Sequence, residues 1–158
     1  MDEHLLDHFY VITVISNPVR FKTRYVLYDK FAERMHRAGV KLITVEAAFG
    51  DRAFQVTKAG NPAHVQLRTT DEIWHKENLI NVGLSRLPLD WKYVAWIDAD
   101  IEFVSPDWAL ETVHQLQHYQ IVQMFQTAVD LGPKGEAFQT YTGFGWAYVT
   151  QQPFYKGK

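Results

Sequence analysis

Short apolar segments alternate with longer segments of helical periodicity, and this alternation restricts the possible folds more than any other feature. The apolar segments are rich in β-branched and aromatic residues, which predicts strands at 10–15, 41–46, 64–67, 93–97 and 121–125. Apolar residues at helical spacing predict helices over about 22–38, 69–87 and 105–116. Strands that alternate with helices predict an α/β fold, with a mostly parallel central sheet and helices on both faces.

The predicted helix ends carry residues that commonly begin or end a helix. Gly39 follows the first helical segment, where a left-handed residue often ends a helix. The sequence TTDE at 69–72 fits a capping box that begins the second helix, and Pro88 ends that helix. Ser105 and Pro106 are a favoured pair for the start of the third helix. These signals support the predicted order of elements.

Composition and charge argue against several classes of function. A chain of 158 residues is about one domain long, and no repeat or linker divides it. The net charge of −2 argues against a nucleic-acid partner, which normally meets a basic surface. The absence of cysteine excludes disulfides and thiolate metal sites. The acidic N-terminus and the short apolar run FYVITVI argue against a signal peptide and a membrane span. We therefore expect a soluble, cytoplasmic protein.

A pair of aspartates follows the apolar strand predicted at 93–97. Asp98 and Asp100 point to the same side of an extended chain, so their charges repel one another unless a neighbouring group offsets them. Three partners meet this need: a divalent cation, a lysine or arginine side chain, or solvent. The strand ahead and the capped helix behind favour the cation, and both Mg²⁺ and Mn²⁺ prefer oxygen ligands.

Basic residues lie at the predicted starts of two helices. Arg20, Lys22 and Arg24 surround the first turn of the first helix, and Lys76 lies near the start of the second. Helix N-termini favour anions because their first backbone N–H groups are unpaired. Each residue alone is adequately explained as a solvated surface cation. Together with the aspartate pair, they predict a diphosphate site that a metal ion completes.

A zinc site is the competing interpretation for metal binding. His114 and His118 are four residues apart on a predicted helix, as the histidines of zinc proteases are. That mechanism requires a glutamate after the first histidine, and Gln115 occupies the position. Two exposed, polar histidines are the better explanation of this pattern.

The segment HKENLINVGLSRLPLDWKYVAWIDADIEF resembles the central part of GT-A-fold glycosyltransferases. It contains a basic residue, a helix with Asn-x-Gly, an aromatic-rich strand and then D-x-D. The segments VITVISNPVRFKTR, FAERM and LITVE are similar to the nucleotide-binding half of that fold. The chain resembles in particular the small glycosyltransferases of bacteria, phages and large viruses, over about residues 8–150 and most specifically over 75–103. The resemblance implies a Rossmann-like GT-A fold.

The resemblance also implies a donor site for a nucleotide-diphosphate sugar, with uridine diphosphate as the commonest carrier. Asp98 and Asp100 would hold Mn²⁺ or Mg²⁺ against the donor diphosphate. Lys76 and Asn81 match positions that contact the diphosphate in the family. Glu46 matches an acidic residue that contacts the base or ribose. With weaker matches included, the implied donor-binding residues are Asn17, Arg20, Glu46, Arg52, Lys76, Asn81 and Asp98.

The activity that the resemblance implies is transfer of the sugar to a hydroxyl of a glycan or another acceptor. The bound cation and Lys76 would stabilise the charge on the leaving diphosphate. The acceptor hydroxyl needs a general base, and no residue matches a motif for one. Family members are usually longer. We therefore expect a single, small or truncated GT-A-like domain over 1–158, with a donor-binding half at about 8–125 and the start of an acceptor side at about 126–158.

Two other functions compete with this one, and a purely structural α/β protein is a further alternative. A non-catalytic nucleotide-sugar or carbohydrate-binding module would keep the donor site and lack a base. A nucleotidyltransferase usually has a Gly-rich loop after its first strand, and this chain has Asn17-Pro18-Val19-Arg20 there. The aromatic run at 141–148 fits either a wall that stacks on sugars or a sheet edge packed on the core.

Overall fold

A computed structural model describes residues 4–152. They divide into two compact units, of which the first ends at Val113 and the second begins at His114. A 3-10 turn, Leu5–His8, precedes the first strand. The strands are β1 (Phe9–Ser16), β2 (Lys41–Phe49), β3 (His64–Thr69), β4 (Tyr93–Trp96), β5 (Thr127–Leu131) and β6 (Ala137–Thr142). The helices are α1 (Lys22–Arg37), α2 (Lys76–Leu84), α3 (Trp108–Leu116) and α4 (Phe144–Thr150).

The first unit is built on a four-stranded parallel sheet in the order β3-β2-β1-β4. Ile12 of β1 pairs with Ile43 on one side and with Trp96 on the other. The prediction of an α/β fold with a parallel sheet is confirmed, and this strand order is compatible with a Rossmann-like fold. The chain proceeds from β1 outward to β3 and then returns to the other side of β1 at β4. The strand order therefore reverses between β1 and β4, where ligands bind in open sheets of this kind.

Helices cover both faces of this sheet. Tyr28 of α1 and Thr44 of β2 share a hydrogen bond of 2.9 Å between their hydroxyls, which places α1 on one face. Val45, the next residue in β2, points to the opposite face. There Gly83 of α2 lies so close that an added Cβ would be 2.7 Å from Cγ2 of Ile12 and 3.3 Å from Cγ2 of Val45. The prediction of helices on both faces is confirmed.

Buried apolar side chains of β1 and β2 form the core between these layers. β1 is buried over most of its length, and β2 is buried from Ile43 to Phe49. The apolar side chains with no more than 1% of their surface exposed include Phe9, Val11, Ile12, Phe31, Met35, Val45 and Val113. Burial on both faces explains why these two strands have near-continuous apolar sequences.

Two predicted helix starts are wrong. Thr69 is the last residue of β3, where it pairs with Phe49, and its carbonyl accepts a hydrogen bond from Gly50 N at 2.9 Å. It therefore cannot cap a helix, and α2 begins only at Lys76 after an irregular segment that includes the exposed Ile73. Pairing in the sheet has overridden the local capping signal. The third helix also begins later than predicted: α3 begins at Trp108, after the predicted start at 105–106.

The strand predicted at 121–125 is also wrong, because this segment is irregular. The second unit instead contains the antiparallel pair β5 and β6, with Asp130 opposite Gln139. Gly135, at a φ of +80°, supplies the left-handed residue in the turn between them. The aromatic run at 141–148 forms the end of β6 and part of α4. No helix among residues 4–152 is long and apolar enough to cross a membrane.

Candidate functional site

A cavity of about 450 Å³ lies at the carboxyl ends of β1 and β4, where the strand order reverses. We call it the switch-point cavity. Its walls are the end of β1 with the loop that follows, the segment 72–76 ahead of α2, and Asp98 to Asp100 after β4. Arg24, in the first turn of α1, completes it. Parallel strands thus bring together residues that are more than fifty positions apart in sequence.

An ion pair between Lys76 and Asp98 crosses this cavity. The Nζ of Lys76, the first residue of α2, contacts Oδ1 of Asp98. Lys76 is 31% exposed and Asp98 is 54% exposed, so solvent reaches both groups. Of the three partners that the aspartate pair allowed, the structure therefore supplies a lysine for Asp98. The N-terminus of α2 adds a partial positive charge on the same side.

Asp100 completes the acidic edge of the cavity. It is exposed, and no side chain or backbone group among residues 4–152 forms a hydrogen bond or ion pair with its carboxylate. No group of three or more histidine, aspartate or glutamate side chains that could hold a metal ion occurs in that part of the chain. Two carboxylates nevertheless fit the way Mg²⁺ is commonly held, by one or two carboxylates together with substrate phosphates and water.

Arg24 and Arg52 support the wall on the side of β1. The guanidinium of Arg24 donates to the carbonyl of Ser16 at 3.0 Å, at the end of β1. Arg52 donates to the carbonyl of Pro18 at 2.7 Å and lies 3.4 Å from Glu72 Oε1. Since Pro18 and Glu72 are both cavity residues, Arg52 ties two walls of the cavity together. A diphosphate contact for Arg52 stays a prediction.

The side chain of Asn17 closes the loop between β1 and α1. Its Nδ2 donates to the carbonyl of Phe21 at 2.9 Å, and its Oδ1 accepts from the backbone N–H of Phe21 at 3.1 Å. Asn17 is 5% exposed, so these bonds satisfy polar groups that burial would otherwise leave unpaired. Arg20, in the same loop, has a φ of +58° and is exposed outside the walls of the cavity. The structure thus gives Asn17 a role in loop geometry.

Glu46 is only 3% exposed, and its carboxylate holds a neighbouring loop. Oε1 accepts from Gln55 N at 2.6 Å. Oε2 accepts from Val56 N at 3.1 Å and from both the N–H and the hydroxyl of Thr57, at 2.8 and 2.6 Å. Four donors compensate for burial of the charge. Glu46 does not line the switch-point cavity, and neither does Asn81, which is exposed on α2.

The cavity also includes Glu72, Trp74 and His75, which the sequence did not mark as site residues. Trp74 is 75% exposed. A side-chain hydrogen bond from Trp74 is the main reason why the pKa of Glu77 lies below its usual value, and a backbone hydrogen bond and the charge of Lys76 act in the same direction. The only feature of the sequence that could have marked these three residues as site residues is their position just ahead of Lys76.

No protein-family model matches the chain, and no curated protein or solved structure matches it. A function therefore has to be inferred from the residues that line the switch-point cavity. They combine three carboxylates with two cationic side chains at the starts of α1 and α2, at the edge of the sheet where ligands bind in open α/β folds. Such a combination suits an anionic ligand that arrives with a divalent cation.

Proposed function

We propose that the chain is a metal-dependent glycosyltransferase of the GT-A type, which moves a sugar from a nucleotide-diphosphate donor to an acceptor hydroxyl. One observation carries the proposal: Asp98, Asp100, Lys76 and Arg24 line a single cavity at the switch point of the sheet. The D-x-D pair belongs to the segment 75–103, over which the resemblance to GT-A enzymes is most specific, and its position at this cavity supports that resemblance.

The cationic side chains would bind the donor phosphates. Lys76 is paired with Asp98 in the structure, and an exposed ion pair of this kind contributes only about 0–1 kcal/mol to stability. A diphosphate, with its higher charge, would therefore draw the Lys76 ammonium away from Asp98 at little cost. Arg24 keeps its bond to Ser16 through one nitrogen and has further N–H groups for a phosphate.

Release of Lys76 leaves both carboxylates available for a cation. Mn²⁺ or Mg²⁺ held by Asp98 and Asp100 would supply additional stabilisation of the negative charge on the leaving diphosphate. Lys76 would stabilise the same charge from the start of α2, in a position fixed by the helix. The cytoplasm, with its supply of nucleotide sugars, is the compartment that suits this activity.

A non-catalytic nucleotide-sugar-binding module is the second candidate. One observation favours it: of the three carboxylates on the cavity wall, Asp98 and Asp100 are assigned to the cation and Glu72 is paired with Arg52 at 3.4 Å, so none is left without a partner to serve as the base. Both candidates require the same donor site. They differ in turnover, because only the enzyme hydrolyses or transfers the sugar of a bound donor.

Calorimetric titration with UDP and GDP, with and without Mn²⁺, tests the donor site. We expect Mn²⁺-dependent binding of at least one nucleotide, weakened about tenfold or more by Asp98→Asn or Asp100→Asn, since each removes a charged ligand. Asp29→Asn is the matched control, because Asp29 is an exposed aspartate on α1 outside the cavity. A folded wild type that binds neither nucleotide would overturn the proposal. Binding without any loss of sugar from UDP-glucose, over a range of acceptors, would select the binding module.

A further inference from the structure

Trp74 differs from the other cavity residues because its large aromatic ring is mostly exposed to solvent. It is 75% exposed, and the adjacent Ile73 is 68% exposed. Single exposed apolar side chains are common on protein surfaces. Trp74 differs from those because it forms part of the wall that also carries Lys76 and faces the same cavity as Asp98. The cavity therefore has a polar part, at the ion pair, and an aromatic part beside it.

The backbone that carries Trp74 is anchored on its C-terminal side, although the ring is exposed. Lys76 begins α2 two residues later, and the backbone N–H of Leu79 donates to the carbonyl of His75 at 2.9 Å. The side chain of His75, the next residue, is bonded through Nε2 to the carbonyl of Asp71 at 2.8 Å. These bonds hold the backbone at Trp74 between Asp71 and the helical turn that presents Lys76. An aromatic side chain on an ordered segment loses less entropy on binding than one on a segment that must first be ordered.

We propose that Trp74 is a stacking platform for the ring that the diphosphate carries, either the nucleobase or the pyranose. This proposal rests on the proposed donor site and adds a subsite to it. Phosphates at Lys76 and Arg24 would leave an attached ring beside the segment 72–76. Nucleobases offer a π-face and pyranoses offer an apolar C–H face, and both stack on an indole without requiring hydrogen bonds.

Titration of wild type, Trp74→Ala and Trp74→Phe in the presence of Mn²⁺ tests the platform with three probes: UDP, UDP-glucose and inorganic pyrophosphate. We expect Trp74→Ala to raise the Kd of ring-bearing probes by about 5- to 100-fold, the usual range for loss of one aromatic stacking partner. Pyrophosphate binding should change less than about twofold, because pyrophosphate has no ring. Trp74→Phe should retain part of the affinity. An increase for UDP identifies the base as the stacked ring, and an increase for UDP-glucose alone identifies the sugar.

Trp96→Ala is the matched control, because Trp96 is an indole 59% exposed on β4 outside the cavity. It should leave all three affinities unchanged. The stacking proposal is overturned if Trp74→Ala changes nothing, or if it weakens pyrophosphate as much as UDP. A folded wild type that binds none of the probes removes the proposed function, and this subsite with it.

Discussion

Lys76 and Asp98 form an ion pair that links the first residue of α2 to the acidic segment after β4. Twenty-two positions separate the two residues in sequence, and the crossover from β3 to β4 brings them together. The pair accounts for one of the two negative charges at this strand end without a metal ion. Under the proposed function, Lys76 would bind phosphate and Asp98 would bind the cation, so each ligand would compete with the ion pair, which has measurable consequences.

Lys76→Met should affect metal binding and nucleotide binding in opposite directions. Removal of the ammonium leaves Asp98 unpaired, so Mn²⁺ alone should bind a few-fold more tightly. UDP in the presence of Mn²⁺ should bind about tenfold more weakly, because a charge-assisted contact to phosphate is lost. Calorimetry measures both. Lys30→Met, at an exposed lysine on α1, is the control. Weaker Mn²⁺ binding in Lys76→Met would contradict the idea that the lysine and the cation compete for Asp98.

Glu46→Gln separates a structural role for Glu46 from the ligand contact that the resemblance implies. The amide presents an N–H₂ group to backbone donors that now meet a carboxylate oxygen, so at least one buried donor loses its partner. The free energy of unfolding should fall by about 1–3 kcal/mol, as measured by urea denaturation. Glu33→Gln, on the exposed side of α1, should change it by less than about 0.5 kcal/mol. Unchanged stability together with weaker UDP binding would instead place Glu46 in contact with the nucleotide.

The sequence predicts the first three strands and α1 well because the signals for them are local. The β-branched run of β1 is largely buried in the sheet. Tyr28, Phe31 and Met35, at helical spacing, form the buried face of α1. The capping signal at Thr69 failed because that residue pairs with β2, and no local pattern reports such pairing. The apolar segment at 121–125 failed for a related reason, since β-propensity specifies a strand only where a partner strand exists.

The same distinction applies to the candidate site. The sequence predicts Asp98 and Asp100 because they follow a strand, whose end at the sheet edge is determined by the fold, and Lys76 because it lies near the start of the second helix, although that helix begins later than predicted. Trp74 belongs to an irregular segment whose path depends on distant contacts, such as that of Arg52 with Glu72, so its place in the cavity could not be predicted. Nor does the sequence reveal that the Asn17 side chain is bonded to its own loop.

Gly83→Ala tests the close packing of α2 on the sheet. Alanine favours a helix over glycine by about 1 kcal/mol, but the added Cβ would lie 2.7 Å from Cγ2 of Ile12. Cγ2 is attached directly to the Cβ of Ile12 and cannot swing aside, so strain should outweigh propensity and lower the free energy of unfolding by about 1–3 kcal/mol. Gly145→Ala, on α4 with open space around it, should be neutral or stabilising. Equal effects of the two substitutions in urea denaturation would argue against this packing.

His64 should make stability depend on pH on the acidic side of neutrality. Burial, followed by the charge of Lys58, lowers the pKa of His64 below its ordinary value of 6.5, against a smaller opposing effect of Glu46. Its Nδ1 accepts a hydrogen bond from Lys58 N at 2.9 Å, which only the unprotonated nitrogen can do.

The unfolded chain therefore takes up a proton at His64 at a higher pH than the folded chain does. The stabilising contribution is complete above about pH 6.5 and is lost as the pH falls through the folded-state pKa. Urea midpoints measured from about pH 7.5 downward should decrease in this range. His64→Asn retains an acceptor near the position of Nδ1 and cannot be protonated, so it should flatten this part of the profile. His36→Gln, at an exposed position on α1, should leave the slope unchanged. A slope that persists in His64→Asn would assign the pH dependence to another group.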